Sequence, residues 1–202
     1  MKKGLMLVIS GPTGCGKGTV LRRLMEKNDE FVFSVSATTR APREGEINGV
    51  NYHFISKEDF EKRIESGEML EYASFCENYY GTPKKEALEV LETGKNLILE
   101  IEVNGAMQIK EKFPDAVLMM LLPPDHKTQA ARLRGRGTET EEVIEKRLAT
   151  ARYELSHLPR YDYAIINHDG GIDDAVRAIL DIVSAEKHAT KRNIDIQQNF
   201  FN

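Results

Sequence analysis

Four continuous apolar runs divide the chain, and each predicts a strand buried on both faces. Runs of this kind are typical of parallel sheets that helices cover on both sides. The predicted strands are residues 5–9, 96–102, 116–122 and 163–167. Helical spacing of apolar residues in the intervals predicts helices at residues 17–27, 104–113, 127–134, 141–157 and 172–187. The pattern therefore predicts a doubly wound α/β core.

Between the first and second of these strands the pattern changes to short alternating runs with two helices among them. One helix begins at Ser56, whose side chain can cap its first turn, and ends near Gly67. The other begins with Thr82-Pro83 and ends at Gly94. This texture predicts an inserted mixed α/β lobe. The predicted units are a core of residues 1–33 and 95–190, a lobe of residues 34–94 and a C-terminal tail of residues 191–202.

An arginine-rich segment separates two of the predicted helices. Arg132, Arg134 and Arg136 alternate with flexible residues, including two glycines. Flexible arginines near a phosphate site are typical of a closing lid, which we place at about residues 132–140. A solvated charged loop is the alternative for such a run.

A glycine-rich segment, Gly-Pro-Thr-Gly-Cys-Gly-Lys-Gly, joins the first predicted strand to the first predicted helix. Its glycines let the backbone turn tightly and aim N–H groups at phosphate oxygens, the helix adds its positive N-terminal end, and Lys17 neutralises the outer phosphates. A plain strand-to-helix turn is the alternative, but the order of these residues favours a nucleoside triphosphate site. The candidate phosphate-loop residues are Gly11, Pro12, Thr13, Gly14, Cys15, Gly16, Lys17, Gly18 and Thr19.

Two positions of this loop need separate interpretation. Gly18 stands where the motif usually has serine or threonine, so the nearest hydroxyl is that of Thr19. Cys15 precedes a helix N-terminus and Lys17, two influences that favour a reactive thiolate. Burial would raise its pKa instead, and a small residue filling the loop is the interpretation that we favour.

The bulk composition limits the function classes. The 202 residues carry a net charge of −4, which argues against a general nucleic-acid binder because such proteins need an extended basic surface. Two cysteines without a disulfide framework are typical of a reducing compartment. The apolar N-terminal run passes directly into the phosphate loop, so a cleaved signal peptide is not expected. With no stretch long enough to span a membrane, we expect a cytoplasmic protein with no membrane partner.

Further segments share one family pattern. The lobe contains FSVSATTRAPREGE at residues 33–46, NGVNYHF at 48–54, GEMLEYA at 67–73 and NYYGT at 78–82. The core contains LEIEVNG at residues 99–105, RGRGT at 134–138 and AIIN at 164–167. Together these segments resemble the guanylate kinases, and the resemblance covers residues 4–187.

The resemblance implies a P-loop NTPase-type parallel sheet flanked by helices, with an inserted GMP-binding lobe and a short lid. It also implies the reaction ATP + GMP ⇌ ADP + GDP, with Mg²⁺ accompanying ATP and with dGMP as a second acceptor. The residue types explain the base preference, because Glu71 can accept both the N1–H and the amino group of guanine while Ser36 and Thr82 reach O6. Adenine would face Glu71 with an unpaired acceptor.

The resemblance also implies roles for individual residues. The GMP phosphate is assigned to Arg40, Arg43, Tyr52 and Tyr80, and a base contact to Glu102. The transferring phosphoryl group is assigned to Lys17, Arg43, Arg136 and Arg147, with Arg43 bridging the two substrates. The adenine side is assigned to Arg132 and Asn167. No strong direct magnesium ligand is expected, and Thr19 and Glu100 are the candidates. Glu100 and Glu102 are each one methylene longer than the aspartates usual in the family.

Two other functions remain open on the sequence. One is a related P-loop kinase acting on a ribose bisphosphate, which would not need Glu71, Ser36 and Thr82 as base readers. The other is a non-enzymatic module that binds phosphopeptides, which would not need Lys17 or the lid arginines. A homo-oligomer is compatible with the apolar pair Phe200-Phe201 near the chain end.

Overall fold

The structure is a computed structural model that describes residues 3–135, 137 and 140–200. Nine strands are assigned in this part of the chain. They are β1 (Met6–Ser10), β2 (Phe31–Phe33), β3 (Ala37–Thr38), β4 (His53–Phe54), β5 (Met69–Phe75), β6 (Asn78–Pro83), β7 (Asn96–Glu100), β8 (Val117–Leu122) and β9 (Tyr163–Ile166).

Eight α-helices connect or flank these strands within the described residues. They are α1 (Lys17–Lys27), α2 (Lys57–Glu65), α3 (Lys84–Glu92), α4 (Val103–Lys112), α5 (His126–Gly135), α6 (Glu141–Ser156), α7 (Ile172–His188) and α8 (Asp195–Phe200). Two short 3-10 helices, Leu158–Arg160 and Thr190–Arg192, follow α6 and α7.

The core is a parallel sheet of five strands in the order β2-β7-β1-β8-β9. Strand β1 lies at its centre, and alternate residues of β1 pack against opposite layers. Leu7 and Ile9 pack with apolar residues of α1 and α7, whereas Met6 and Val8 pack with residues of α3 and α4. Both faces of the sheet are therefore covered, which confirms the predicted doubly wound α/β core.

The lobe is built on a second, mixed sheet with the order β4-β3-β6-β5. Strands β3 and β4 are parallel, while β6 pairs antiparallel with both β3 and β5. Helix α2 covers this sheet through Phe60, which is fully buried against Ala37 and Met69. The Ser56 hydroxyl accepts the Asp59 N–H at 3.0 Å, so the predicted N-cap of this helix is confirmed.

One strand was not predicted, and one helix boundary was placed too early. Phe31–Phe33 is a strand at the edge of the core sheet, and its three residues are too few to show a period. The Thr82-Pro83 pair ends β6 instead of opening the next helix, which begins at Lys84. Proline is accepted there because it stands at the end of the strand.

The described helices include none that is long and apolar enough to cross a membrane. In the tail, Phe200 is 77% exposed, whereas Phe201 lies outside the described residues.

A buried carboxylate ties the end of α7 to the sheet and to the tail. Glu186 is 6% exposed and accepts hydrogen bonds from the Tyr163 hydroxyl at 2.7 Å and from Arg192 Nε at 2.9 Å. Burial alone would raise the pKa of Glu186, but the hydrogen bonds from Tyr163, Arg192 and Lys191 outweigh it and lower that pKa. The network therefore contributes stability only while the carboxyl is ionised.

Replacing Glu186 tests this network. We expect Glu186→Ala to lower the free energy of unfolding by about 1–3 kcal/mol at pH 7, because the partners lose a buried acceptor. The folded-state pKa lies below the unfolded one, so this loss should shrink as the pH falls through the folded-state value. Urea denaturation measures both effects. Asp181→Ala on the exposed side of the same helix is the control, and an equal loss in the two variants would contradict the assignment.

Candidate active site

The phosphate loop begins where β1 ends, at the carboxyl edge of the core sheet. Gly14 and Gly16 have φ angles of 78° and 86°, a region that favours glycine. A Cβ at Gly11 would lie 2.2 Å from the Leu121 carbonyl oxygen, so β8 leaves no room for a side chain there. Lys17 Nζ donates to the Gly11 carbonyl at 3.0 Å and thus folds back across the loop. The loop is therefore narrow, and the ammonium group of Lys17 already lies against its backbone.

The side chains behind the loop hold its backbone carbonyls. Gln129 Nε2 donates to the Thr13 carbonyl at 2.9 Å, and Asn167 Nδ2 donates to the Cys15 carbonyl at 2.8 Å. Asn167 is 4% exposed, and its Oδ1 has no hydrogen-bond partner among the described residues. A buried acceptor left in this way is suited to a ligand donor such as an amino group.

Arg132 borders an open cavity beside the loop. Its guanidinium donates to the Gly14 carbonyl at 3.3 Å and to the Asn167 carbonyl at 2.9 Å, and it pairs with Asp169. The cavity measures about 300 Å³. Its lining residues are Gly14, Gly16, Thr19, Arg132, Asn167, His168, Asp169, Gly170 and Ile172. The structure thus brings Arg132 and Asn167 together with the phosphate loop.

Helix α6 also reaches the loop, through Arg147. Its Nη1 donates to the Thr13 hydroxyl at 3.1 Å, although the side chain lies on an exposed surface. Arg134, at the end of α5, is engaged by the Glu141 carboxylate. The predicted catalytic Arg136 lies outside the described residues, as do residues 138 and 139 of the predicted lid.

A cluster in the lobe is built around Arg40. Its guanidinium donates to both carboxylate oxygens of Glu46, at 3.0 and 2.9 Å, and lies 5.5 Å from the ring centre of Tyr52. The Tyr52 and Tyr80 rings meet edge to face at 6.2 Å. The hydrogen bond to Glu46 is the main reason why the pKa of Arg40 is raised. The predicted phosphate-binding residues Arg40, Tyr52 and Tyr80 therefore share one surface.

Sequence reasoning missed the acid of this cluster. Glu46 Oε2 also accepts the backbone N–H of Arg43 at 2.7 Å, so a single carboxylate orients both arginine positions. The turn between them needs Gly45, whose φ is 83°. The signal in the sequence was the position of Glu46, which follows Arg40 and Arg43 closely and comes directly after Gly45. The Arg43 side chain itself is exposed.

The predicted base-reading pair is buried between the lobe and the core. Glu71, on β5, is 4% exposed, and its Oε1 accepts the hydroxyl of Thr82 on β6 at 2.7 Å. Burial raises the pKa of Glu71, although the Thr82 hydrogen bond and the charge of Lys112 oppose that rise. A desolvated carboxyl of this kind gains most from a ligand that presents N–H donors. Ser36, the third predicted base reader, is half-buried beside the start of β3.

A second acidic group lies where β7 ends. Glu100 and Glu102 are both exposed, and Glu102 is the N-cap residue of α4. Glu154 on α6 is 6% exposed, hydrogen-bonds to the Glu102 carboxyl and has its pKa raised to about 8, first by burial and then by Glu102. Sequence reasoning missed Glu154. The signal was its place in the buried stripe of α6, where it follows Ile144, Leu148 and Ala151 at helical spacing.

Comparisons with known proteins agree with this geometry. Residues 3–186 match the model of the protein family described as guanylate kinase. A guanylate kinase of Clostridioides difficile strain 630 is 50% identical over 98% of this chain and 97% of the relative. One of Caldanaerobacter subterraneus subsp. tengcongensis is 47% identical over 96% of this chain and 94% of the relative. The crystal structure of guanylate kinase from Anaplasma phagocytophilum has a TM-score of 0.74 at 34% identity, covering 95% of this chain and 90% of that chain.

The raised pKa of Glu154 leads to a prediction about pH. The folded protein holds the proton of Glu154 up to about pH 8, whereas the unfolded chain releases it near pH 4.5. This contribution to stability is therefore complete below the unfolded value and is lost as the pH rises to about 8. Because Glu154→Gln remains neutral, we expect its free energy of unfolding, relative to the unaltered protein, to increase by about 1–3 kcal/mol between pH 5 and pH 8.

Urea denaturation at several pH values gives this comparison. Glu145→Gln makes the same change at an exposed position of α6, so it should follow the unaltered protein at every pH. Parallel pH profiles for Glu154→Gln and the unaltered protein would contradict a shared proton at this position.

The two cysteines should differ sharply in reactivity. Burial raises the pKa of Cys15 and outweighs the opposing charge of Lys17, and the residue is 1% exposed. Cys76 is exposed at the tip of the β5–β6 hairpin. We expect a disulfide reagent at pH 7 to modify one thiol rapidly in the native protein and none in Cys76→Ser. Rapid modification that persists in Cys76→Ser would restore the reactive interpretation of Cys15.

Proposed function

The chain belongs to the guanylate kinase family, and we propose that its phosphate loop and its lobe bind ATP and GMP for transfer of the γ-phosphoryl group. The protein is a nucleoside monophosphate kinase, and the products are ADP and GDP. The observation that carries the choice of acceptor is the carboxyl of Glu71, which is 4% exposed beside the Thr82 hydroxyl. Guanine brings two N–H donors to such a group, whereas adenine would leave it unpaired.

On the ATP side, the phosphate loop of residues 11–18 receives the β- and γ-phosphates. The positive φ angles of Gly14 and Gly16 and the adjacent N-terminus of α1 support this role. Adenine lies beside Arg132 and Asn167, in the cavity of about 300 Å³ that these residues line. The unpartnered Oδ1 of Asn167 is a suitable acceptor for the adenine amino group.

On the GMP side, Arg40, Arg43, Tyr52 and Tyr80 bind the phosphate. The Arg40 guanidinium is already held by Glu46 and by the Tyr52 ring, so little of its side-chain freedom remains to be lost on binding. The base lies against Glu71, Thr82 and Ser36, with Glu102 as a further acceptor for its amino group. We propose dGMP as a second, weaker acceptor, because it presents the same base and phosphate to these residues.

Catalysis depends on aligning the GMP phosphate with the γ-phosphorus of ATP and on neutralising the charge of the phosphate oxygens. An oxygen of the GMP phosphate attacks the γ-phosphorus while the bond to the β–γ bridging oxygen breaks, and ADP leaves with that oxygen. The GMP phosphate is already an anion, so no general base is needed. Lys17, Arg43, Arg136 and Arg147 neutralise the equatorial oxygens, and the Arg147 bond to Thr13 supports the position of that arginine at the loop.

Closure belongs to the same proposal. Residues 34–94 move over GMP and residues 132–140 move over ATP, because water must be excluded before transfer or ATP would be hydrolysed. The exposed setting of Arg43 and Arg147 supports this view, since both arginines would be buried only when the substrates are enclosed.

Magnesium bound with ATP would supply neutralisation of phosphate charge, and Thr19 and Glu100 are the residues that could reach it. The described residues contain no group of three or more His, Cys, Asp or Glu side chains that could hold a metal ion. Gly18 has open space where a hydroxyl-bearing side chain would stand, and the candidates Thr19 and Glu100 are both exposed. A sparse protein ligand set fits a cation that keeps several waters and takes its other ligands from the nucleotide.

The two cysteines are free thiols, which supports a cytoplasmic location. We propose no nucleic-acid partner, in keeping with the net charge of −4. The 77% exposed Phe200 is a candidate contact if the protein forms a homo-oligomer.

An acceptor panel tests the proposed function. With ATP as donor, we expect GMP, and more weakly dGMP, to be phosphorylated with an efficiency on the order of 10⁴-fold above that of AMP, because Glu71 is left unpaired by adenine. Coupled ADP release with GMP, dGMP, AMP, CMP, UMP and a ribose bisphosphate measures this preference. Preferred turnover of the ribose bisphosphate, or no turnover with any acceptor, would support one of the two other functions.

The same assay tests Glu71 directly. We expect Glu71→Gln to lower kcat/KM for GMP by at least about 100-fold, because one acceptor oxygen becomes a donor that faces guanine N–H groups. Glu68→Gln is the matched control, since it makes the same change at an exposed position before the strand that carries Glu71. Equal kcat/KM values in Glu71→Gln and Glu68→Gln would remove Glu71 from the site.

A further inference from the structure

Helix α4 of the core holds the lobe strand β5 through side chains that bond to its backbone. Gln108 Oε1 accepts the Tyr72 N–H at 3.2 Å, and Gln108 Nε2 donates to the Tyr72 carbonyl at 2.8 Å. Lys112 Nζ donates to the Leu70 carbonyl at 2.9 Å. Strand β5 is an edge strand, so the amide of Gln108 takes the place that a neighbouring strand would occupy.

These bonds fall on both sides of Glu71, where the strand is irregular. The pairing of β5 with β6 shifts register between Met69 and Glu71, and Leu70 is the extra residue. A bulge bends a strand and re-aims its side chains. Here Leu70 packs into the core cluster with residues of β7 and α4, and the following side chain is that of Glu71. The bonds from α4 therefore support β5 on both sides of Glu71, next to the point where its register with β6 shifts.

The carboxyl of Glu71 also lies directly against α4. A Cβ built on Gly105 would stand 2.5 Å from Glu71 Oε2 and 3.3 Å from Ile101 Cδ1. Oε1 of the same carboxyl is held by Thr82 at 2.7 Å. The Glu71 carboxyl therefore lies between the Thr82 hydroxyl of the lobe and Gly105 of the core helix. Only glycine leaves room for the carboxyl at that helix position.

We propose that Gln108 is a positioning residue for guanine recognition, fixing Glu71 to α4, and that Gly105 provides the space in which the Glu71 carboxyl lies. This inference rests on the proposed function and adds the residues that set its specificity. The group that reads the base is anchored to the core, although its strand belongs to the lobe. Gln108 acts through the Tyr72 backbone and does not itself touch the base.

The experiment begins with the unaltered protein and then removes the bonds from Gln108. If the unaltered protein does not phosphorylate GMP, the proposed function fails and this inference fails with it. If it does, we expect Gln108→Ala to raise KM for GMP at least tenfold and to leave KM for ATP within twofold. The preference for GMP over IMP, which lacks the 2-amino group that Glu71 accepts, should fall at least tenfold. A purely structural role would change stability without changing this preference.

A conservative variant and a control complete the series. Gln108→Glu keeps an acceptor for the Tyr72 N–H but loses the donor to its carbonyl, so we expect a smaller rise in KM for GMP than in Gln108→Ala. Glu111→Gln changes an exposed residue of the same helix and should match the unaltered protein. A GMP-over-IMP preference within twofold of normal in folded Gln108→Ala, or an effect in Gln108→Glu as large as in Gln108→Ala, would overturn the role of Gln108.

Gly105→Ala separates positioning from stability even if Gln108→Ala fails to fold. Alanine is a better helix former than glycine, so Tm should not fall if the carboxyl can move aside. The same movement should raise KM for GMP at least tenfold and reduce the preference over IMP. A normal KM for GMP in Gly105→Ala, or a fall in Tm with the preference intact, would overturn the placement of Glu71 against α4.

Discussion

The close approach of the phosphate loop to the core sheet is the constraint on which the geometry of the proposed ATP site depends. Strand β1 is buried along its whole length between two layers of helices, so the point where its chain must turn is fixed. The Leu121 carbonyl then leaves no room for a side chain at Gly11, and the positive φ angles at Gly14 and Gly16 carry the chain into α1. The carbonyls of Thr13 and Cys15 are held by Gln129 and Asn167, which adds a second layer of support.

Burial of carboxyl groups is the main electrostatic cost of this architecture. Glu71 and Glu154 are both nearly inaccessible, and burial raises the pKa of each. The two carboxyls differ in the groups that oppose this rise. In Glu71 the rise is opposed by hydrogen bonds from Thr82 and by the charge of Lys112, whereas Glu154 shares a hydrogen bond with a second acid, Glu102, which raises its pKa further. A buried carboxyl that lacks hydrogen-bond donors carries a desolvation cost. A ligand that supplies the donors removes this cost, whereas a wrong ligand leaves it in place, so binding is selective.

The sequence predicted the parts of the structure that depend on local pattern. Four of the five core strands, the five predicted core helices and the Ser56 cap were visible as apolar period and capping chemistry. Strand β2 was missed because three residues show no period, and its pairing with β7 is a tertiary contact. Glu154 and Gln108 were missed for a related reason, because each acts on a residue that only the fold brings near. Glu46 is different, since it lies within six residues of Arg40 and Arg43.

The first turn of α4 contacts both the strand that carries Glu71 and helix α6. Glu102 meets Glu154 of α6, and the Asn104 amide oxygen accepts the Tyr153 hydroxyl at 2.9 Å. One residue further on, Gly105 faces the Glu71 carboxyl. Helix α6 also carries Arg147 to the phosphate loop. Helix α4 packs into the core through Ala106 and Ile109. The Glu71 carboxyl and the helix that carries Arg147 therefore share one support, which in the proposed reaction would help to align the acceptor and donor phosphates.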